Sequence, residues 1–280
     1  MSRRAARGVE GGAGGRPRVS ACVVARDAER TLERCLASLA FADERVVIVD
    51  ERSCDATESI AISAGARVIR RAYAGNVEQK NYALDCAGGD WVLVVDADEA
   101  LSPELARNVM RWLESRAGAF DGAELGRKTL HLGRWLEYGD FHPDCQLRLF
   151  RRERGRFSGA NPHGRVRVEG RIAKIDGCLE HRSYANLADQ IERVREFSAI
   201  EAVSLCASGR RVRWTDLALR PAARFLRAYV LNQGFRDGFA GFAVAVVSAF
   251  HVLVKYASVF EREQHGVAPR EAAAASARAR

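Results

Sequence analysis

Residues 91–99 read Trp-Val-Leu-Val-Val-Asp-Ala-Asp-Glu. Five of positions 91–96 are apolar, and three of positions 96–99 are carboxylates. A short apolar run bounded by Gly88-Gly89 and Ser102-Pro103 reads as a buried strand. It drives Asp96, Asp98 and Glu99 into one place, where like charges repel, so positive charge has to sit beside them. A chain built this way carries its polar chemistry at a strand end.

The same construction recurs upstream. "VSACVVA" (19–25) runs into Arg26-Asp27, and "RVVIVD" (45–50) ends on Asp50. Helical patterns follow each, in "ERTLERCLASLA" and "CDATESIAISAG", where Asp55 and Glu58 have capping-box spacing and Gly65 suits the helix stop. "RVIR" and a basic-polar connection through "VEQKNYALDCAGG" lead to residue 91, after which Ser102, Pro103 and Glu104 open another helix. This β-α-β-α rhythm predicts a mostly parallel sheet with helices on both faces. Ligands of such sheets bind beyond the carboxyl ends of the strands, where Asp27, Asp50, Asp96 and Asp98 converge. No G-x-G-x-x-G follows the first strand and no G-x-x-x-x-G-K-[ST] occurs, which removes the common dinucleotide and P-loop cradles. An aspartyl-nucleophile phosphohydrolase reads D-x-D-x-[TV] on its first strand; here Ala100 holds the fifth position, on about the fourth strand.

Past residue 125 "RKTLHL", "CQLRLFRR" and "RVRVEG" alternate as strands with arginines on one face. Residues 186–205 place Leu187, Ile191, Val194, Phe197 and Ile200 at helical spacing, predicting a packed core stripe. The expected organisation is an Arg/Gly-rich disordered tail (1–18), a first half of the α/β domain (19–125), a second half (126–218), an amphipathic and apolar helical extension (219–263) and a disordered tail (264–280). The net charge of +8 is divided, with −7 over 19–125 and +11 over 126–280. The basic half suits a polyanion or an anionic membrane. Nucleic acid is disfavoured, since no basic stripe with interleaved aromatics or reader motif is present. Seven cysteines without a C-x-x-C pair point to a reducing, cytoplasmic compartment. Residues 238–254 carry no formal charge with His251 neutral, short for a span and suited to in-plane attachment at the inner face of the cytoplasmic membrane.

Two carboxylates one residue apart at a strand end can share a hard cation, Mg²⁺ or Mn²⁺, which in turn neutralises a diphosphate leaving group. "RTLERCLASLAFADERVVIVDERSCDAT", "EQKNYALDCAGGDWVLVVDADE", "LGRWLEYGDFHPDCQLRLFRR", "NPHGRV" and "LNQGFRDGFAGF" together resemble family 2 glycosyltransferases of GT-A fold, in the branch of lipopolysaccharide inner-core β-1,4-glucosyltransferases. The resemblance implies an α/β GT-A fold and an inverting transfer of a hexose from a nucleotide-diphosphate sugar, UDP-glucose first among them. The implied acceptor is a lipopolysaccharide-core, glycolipid or other cell-envelope glycan, with a polyprenyl phosphate as the alternative. The resemblance implies that the first half (19–125) binds the nucleotide sugar and the second (126–218) the acceptor. It implies that Asp50 reads the nucleobase, and that Ala25, Asp27, Lys80, Asn81, Asp96 and Ala97 line the nucleotide sugar. Asp96, Asp98 and His163 are the implied metal site. The sequence departs from the family at Asp27-Ala28, at Glu51-Arg52-Ser53 after Asp50, and at Gly164 after His163. The base that deprotonates the acceptor is expected outside the metal shell, at Asp140 or Asp144, and the resemblance favours Asp144. The competing reading of Asp144 is an ion pair with Arg148 or a neighbouring arginine.

Overall fold

The structure, a computed structural model, describes residues 16–159 and 164–264. The expectations for the tails at 1–15 and 265–280 and for His163 fall outside the described residues. In chain order the elements are β1 (Val19–Ala25), α1 (Leu32–Ser38), β2 (Glu44–Asp50), α2 (Thr57–Ser63), β3 (Arg67–Arg71), α3 (Asn76–Cys86), β4 (Trp91–Asp96), β5 (Glu99–Leu101) and α4 (Pro103–Ser115). Then come β6 (Gly122–His131), β7 (Arg134–Trp135), β8 (Cys145–Arg151), β9 (Gly155–Ser158), β10 (Arg165–Val168), β11 (Ile172–His181), α5 (Leu187–Ala207), α6 (Trp214–Leu226) and α7 (Gly238–Gln264). A π-helical turn, Arg227–Leu231, continues α6, and a 3-10 turn, Gly234–Asp237, precedes α7.

The chain divides into two compact units. The first holds the chain up to Ala97 with Pro103–Glu124 and Leu147–Asp176; the second holds Asp98–Ser102, Leu125–Gln146 and the chain from Gly177 onward. Strands β6, β8 and β11 each contribute one end to either unit.

In the first unit β3, β2, β1 and β4 lie parallel in that order, and β8 pairs antiparallel with β4. The inner strands are apolar at nearly every position because both faces are covered. Cys22, Val46, Ile48, Val92 and Val94 pack beneath Val77, Ala83 and Leu84 of α3. The chain runs outward from β1 to β3, then returns across β1 to lay down β4. The strand order therefore reverses between β1 and β4, and a ligand crevice belongs at that reversal, beyond the carboxyl ends. Val24 and Asp96 are register partners there.

Two local expectations change. The presumed connection at 77–89 is mostly helix α3, whose buried side includes Gln79 and Lys80 beside Val77, Ala83 and Leu84. Polar residues at inward positions hide the helical period. Asp55 does not form a capping box with Glu58, because α2 begins at Thr57. Its Oδ1 accepts from the Thr57 N–H at 3.0 Å and its Oδ2 from the Glu29 N–H at 2.9 Å, so it ties the helix start to the loop after β1. Gly65 meets its expectation, with φ of 71° just past the helix.

In the second unit β5 pairs antiparallel with β11, placing His181 opposite Glu99. Helices α5 and α6 both pack on α7. The core stripe expected on α5 is corrected: Leu187 and Ile191 are exposed, and the buried side is Gln190, Val194, Ser198 and Ala202. Small and polar residues let α7 lie close, and polar pairs fix the contact. Glu201 accepts from His251 at 3.3 Å and pairs with Lys255 at 2.9 Å.

Candidate active site

The positive charge demanded by the strand end of β4 is supplied first by side chains. In the first unit Lys80 Nζ lies 2.6 Å from Asp96 Oδ1, and Arg148 donates to Asp96 Oδ2 at 2.8 Å. Both cations are buried. Burial pushes the Asp96 carboxyl up, but Arg148 and then Lys80 outweigh it and hold the group well below the usual carboxylate range. Two buried cations thus meet the Asp96 carboxylate at the reversal crevice.

Asp50, at the end of β2, is buried and gripped by the Arg52 fork, with Nε to Oδ1 at 3.2 Å and an outer nitrogen to Oδ2 at 2.8 Å. Burial raises its pKa and the Arg52 bonds more than reverse that. The carboxylate edge proposed to read a base is thus covered by a residue two positions on, where the sequence departs from the family. Asn81 spends its amide on the backbone of Phe157, accepting from its N–H at 2.9 Å and donating to its carbonyl at 3.0 Å. This staples α3 to β9. Asp27 has φ of 45° and accepts from the Cys54 N–H at 2.9 Å, shaping the loop after Ala25. Ala97 sits in the turn directly after Asp96.

The second unit has a charged cluster centred on a guanidinium. Arg127 bridges two carboxylates, donating to Glu99 Oε1 at 3.0 Å and, through Nε, to Asp144 Oδ2 at 2.7 Å. Burial disfavours the guanidinium charge, and Glu99 and Asp144 overcome it, so the Arg127 pKa is raised. Asp144 Oδ1 accepts from Gln146 at 2.5 Å. Asp144 is therefore ion-paired, with the neighbouring Arg127. Asp140, the alternative base, is tied to Arg224 at 3.0 Å and is mostly buried.

Asp98 lies in the same unit. Its Oδ2 is 3.3 Å from His181 Nε2, while Ser183 Oγ lies 2.6 Å from that nitrogen and Thr129 Oγ1 lies 3.2 Å from His181 Nδ1. Carboxylate oxygen is the donor that Mg²⁺ or Mn²⁺ prefers, so Asp98 could ligate such an ion, and His181 could join it by exchanging its hydroxyl contact for the metal. Among the described residues no group of three or more His, Cys, Asp or Glu side chains surrounds a common point. Two protein ligands completed by water and phosphate oxygens is a usual arrangement for such ions.

Sequence reasoning named Asp96, Asp98 and Asp144 as candidates and Arg148 only as a possible partner of Asp144, and it did not name Arg127 or His181. Arg127 was visible only as an arginine on a strand face. His181 becomes significant through the pairing of β11 with β5, a long-range register that no local pattern in "CLEHRS" announces.

The model of glycosyl transferase family 2 matches residues 20–165. The chain is 29% identical over 251 residues to the lipopolysaccharide core biosynthesis glycosyltransferase LpsC of Rhizobium meliloti, covering 87% of this chain and 92% of that protein. It is 26% identical over 265 residues to an uncharacterized glycosyltransferase of Rickettsia typhi, covering 87% of each. Among solved structures, S. aureus TarS 1–349 in complex with UDP-GlcNAc is 16% identical, with a TM-score of 0.44 over 89% of this chain and 92% of that one. The match to the family model takes in just over half of the sequence, and the chain belongs to glycosyl transferase family 2.

Proposed function

We propose that this family 2 glycosyltransferase moves a hexose, by inversion, from a nucleotide-diphosphate sugar to a hydroxyl of a lipopolysaccharide-core or related cell-envelope glycan. The acceptor assignment draws on the similarity to LpsC over nearly the whole of both chains. UDP-glucose is the first donor to examine. The chain acts at the inner face of the cytoplasmic membrane, where a lipid-carried acceptor is met.

The observation that carries the reading is the pair of buried cations held at Asp96 beyond the strand end. Lys80 and Arg148 are positioned there as cations that suit an anion such as a diphosphate. Asp98 and His181 would hold a divalent ion whose role is to neutralise the diphosphate as it leaves. Asp96, oriented by its two cations, is placed for the ribose edge. Asp50 meets the nucleobase once Arg52, whose side chain is substantially exposed, turns aside. Asp144 accepts the proton of the acceptor hydroxyl. Arg127 and Gln146 fix its carboxylate and leave it to act as base on the acceptor side.

A thermal-shift screen of UDP-, GDP-, CMP- and dTDP-sugars with Mn²⁺ tests the donor. A ligand at 100 times its Kd adds about 2.7 kcal/mol of stability. We expect a UDP-sugar to give the shift and EDTA to abolish it. Absence of any shift across the set overturns the reading, and full turnover in EDTA overturns the metal.

A further inference from the structure

Helices α6 and α7 are apolar on the side that a water-soluble helix keeps polar. On α7, Phe239, Phe242, Val246, Phe250 and Leu253 are exposed, while Ala240, Gly241, Val244 and Ala245 face inward. On α6 and its π-helical continuation the exposed large apolar positions are Trp214, Leu219, Leu226, Val230 and Leu231. Phe242 stacks edge-on against Phe225 and Tyr229, joining the two helices into one patch. Trp214, Leu231 and Phe239 are 72%, 74% and 75% exposed, an unusual degree for such side chains.

We propose that α6, the turns at 227–237 and α7 form a face that docks in the plane of an anionic lipid bilayer without crossing it. Charge selects the partner. Of the eight Lys or Arg in residues 209–256, Arg220, Arg224 and Lys255 pair with Asp216, Asp140 and Glu201, and Arg210, Arg211, Arg213, Arg227 and Arg236 are exposed; Asp237 is engaged by the backbone of Glu137 and Tyr138. Two copies of so basic a face repel each other, whereas anionic headgroups attract it. Packing rules out a span. Helix α7 is long and apolar enough to cross a membrane. Yet α5, with Glu192, Arg193, Arg195 and Glu196 along it, lies against α7 and is joined to it by the Glu201 pairs with His251 and Lys255. Drawing α7 through a bilayer would take that charged helix with it.

The face also reaches the acceptor side. Leu231, Asn232 and Gln233 line a cavity of about 470 Å³ together with Lys128, His142 and Pro143, the residue before Asp144. The Glu137 and Tyr138 N–H groups donate to Asp237 Oδ2 at 3.0 and 2.8 Å, and Gly139 N–H donates to the Asn232 carbonyl at 2.9 Å. The docking turn thus holds the loop that leads to Asp144. On the glycosyl-transfer reading, a lipid-carried acceptor meets this cavity at headgroup level.

The test is flotation of the full chain with vesicles of phosphatidylglycerol and phosphatidylethanolamine, set against vesicles of phosphatidylcholine alone. The double variant Leu231→Asp/Phe239→Asp changes two highly exposed side chains, and its melting curve and thermal shift with UDP and Mn²⁺ verify the fold. We expect flotation with anionic vesicles, release by alkaline carbonate, and a loss of roughly tenfold or more in the variant. Four results overturn the proposal: no flotation of the wild type, equal flotation of the variant, resistance to carbonate, or a wild-type dimer that the variant dissolves. A failed flotation with the UDP shift intact removes the docking face and leaves the enzymatic reading standing; a lost UDP shift with flotation intact does the reverse.

Discussion

Two clusters of charge are built from the same side-chain types. Around Asp96, Lys80 and Arg148 bring two cations to the carboxylate. Around Arg127, Glu99 and Asp144 bring two carboxylates to the guanidinium. The difference lies in the group at the centre, a carboxylate in one and a guanidinium in the other. On the proposed reading the cations of the first cluster meet the phosphate-bearing donor, and Asp144 of the second takes the proton of the acceptor.

The largest effect expected is catalytic. Asp144→Asn removes one negative charge from the second cluster, keeps its shape, and should lower kcat by roughly 10²–10⁴-fold while donor affinity holds. Steady-state kinetics with separate donor titrations would show it, and a wild-type kcat would take the base role from Asp144. Next in size are two stability effects that probe the clusters symmetrically. Asp96→Asn leaves Lys80 and Arg148 without the charge they share, and Arg127→Met takes the common guanidinium from Glu99 and Asp144. Each should cost about 3 kcal/mol or more in denaturant unfolding. If either variant melts like the wild type, its cluster is not a buried charge network.

Most of this architecture could be read in advance, and the reason is physical. Strands β1, β2 and β4 are apolar throughout because they are covered on both faces, and their bounds in the structure fall within a residue of the apolar runs. The carboxylates at their ends were legible for the same reason. What stayed hidden depends on long-range register or on polar burial. Lys80 lies on the inward side of α3, where an apolar residue is the usual occupant, and His181 gains its place only through the β5–β11 pairing. The α5 stripe misled because that helix packs with Gln190, Ser198 and Ala202, letting α7 come close through polar contacts. Arg52 over Asp50 belongs to the part where the sequence departs from its family, and only coordinates reveal the fork.

The smallest effect extends the comparison to a third charged group, on α5. The hydrogen bond from His251, with help from Lys255, draws the Glu201 carboxyl down to about 2 against the opposing effect of burial. A depressed acid contributes stability that is present above its unfolded pKa near 4.5 and is lost as pH falls toward the folded value. Allowing for partial exposure, Glu201→Gln should cost on the order of 1–2 kcal/mol at neutral pH and flatten the decline in stability between about pH 4.5 and 2. Unfolding curves across that range would detect it, and an unchanged acid slope would show that α5 and α7 are held by other contacts.

The division between the clusters is tested most directly by calorimetric titration of UDP, with Mn²⁺ present, into Lys80→Met and Asp144→Asn. Lys80→Met removes one of the two cations at Asp96, so UDP should bind it roughly tenfold or more weakly than the wild type, the scale of one lost charged hydrogen bond. Asp144→Asn touches only the second cluster and should bind UDP as the wild type does. Equal affinity in Lys80→Met, or a weakened Asp144→Asn, would contradict the assignment of donor and acceptor chemistry to the two regions.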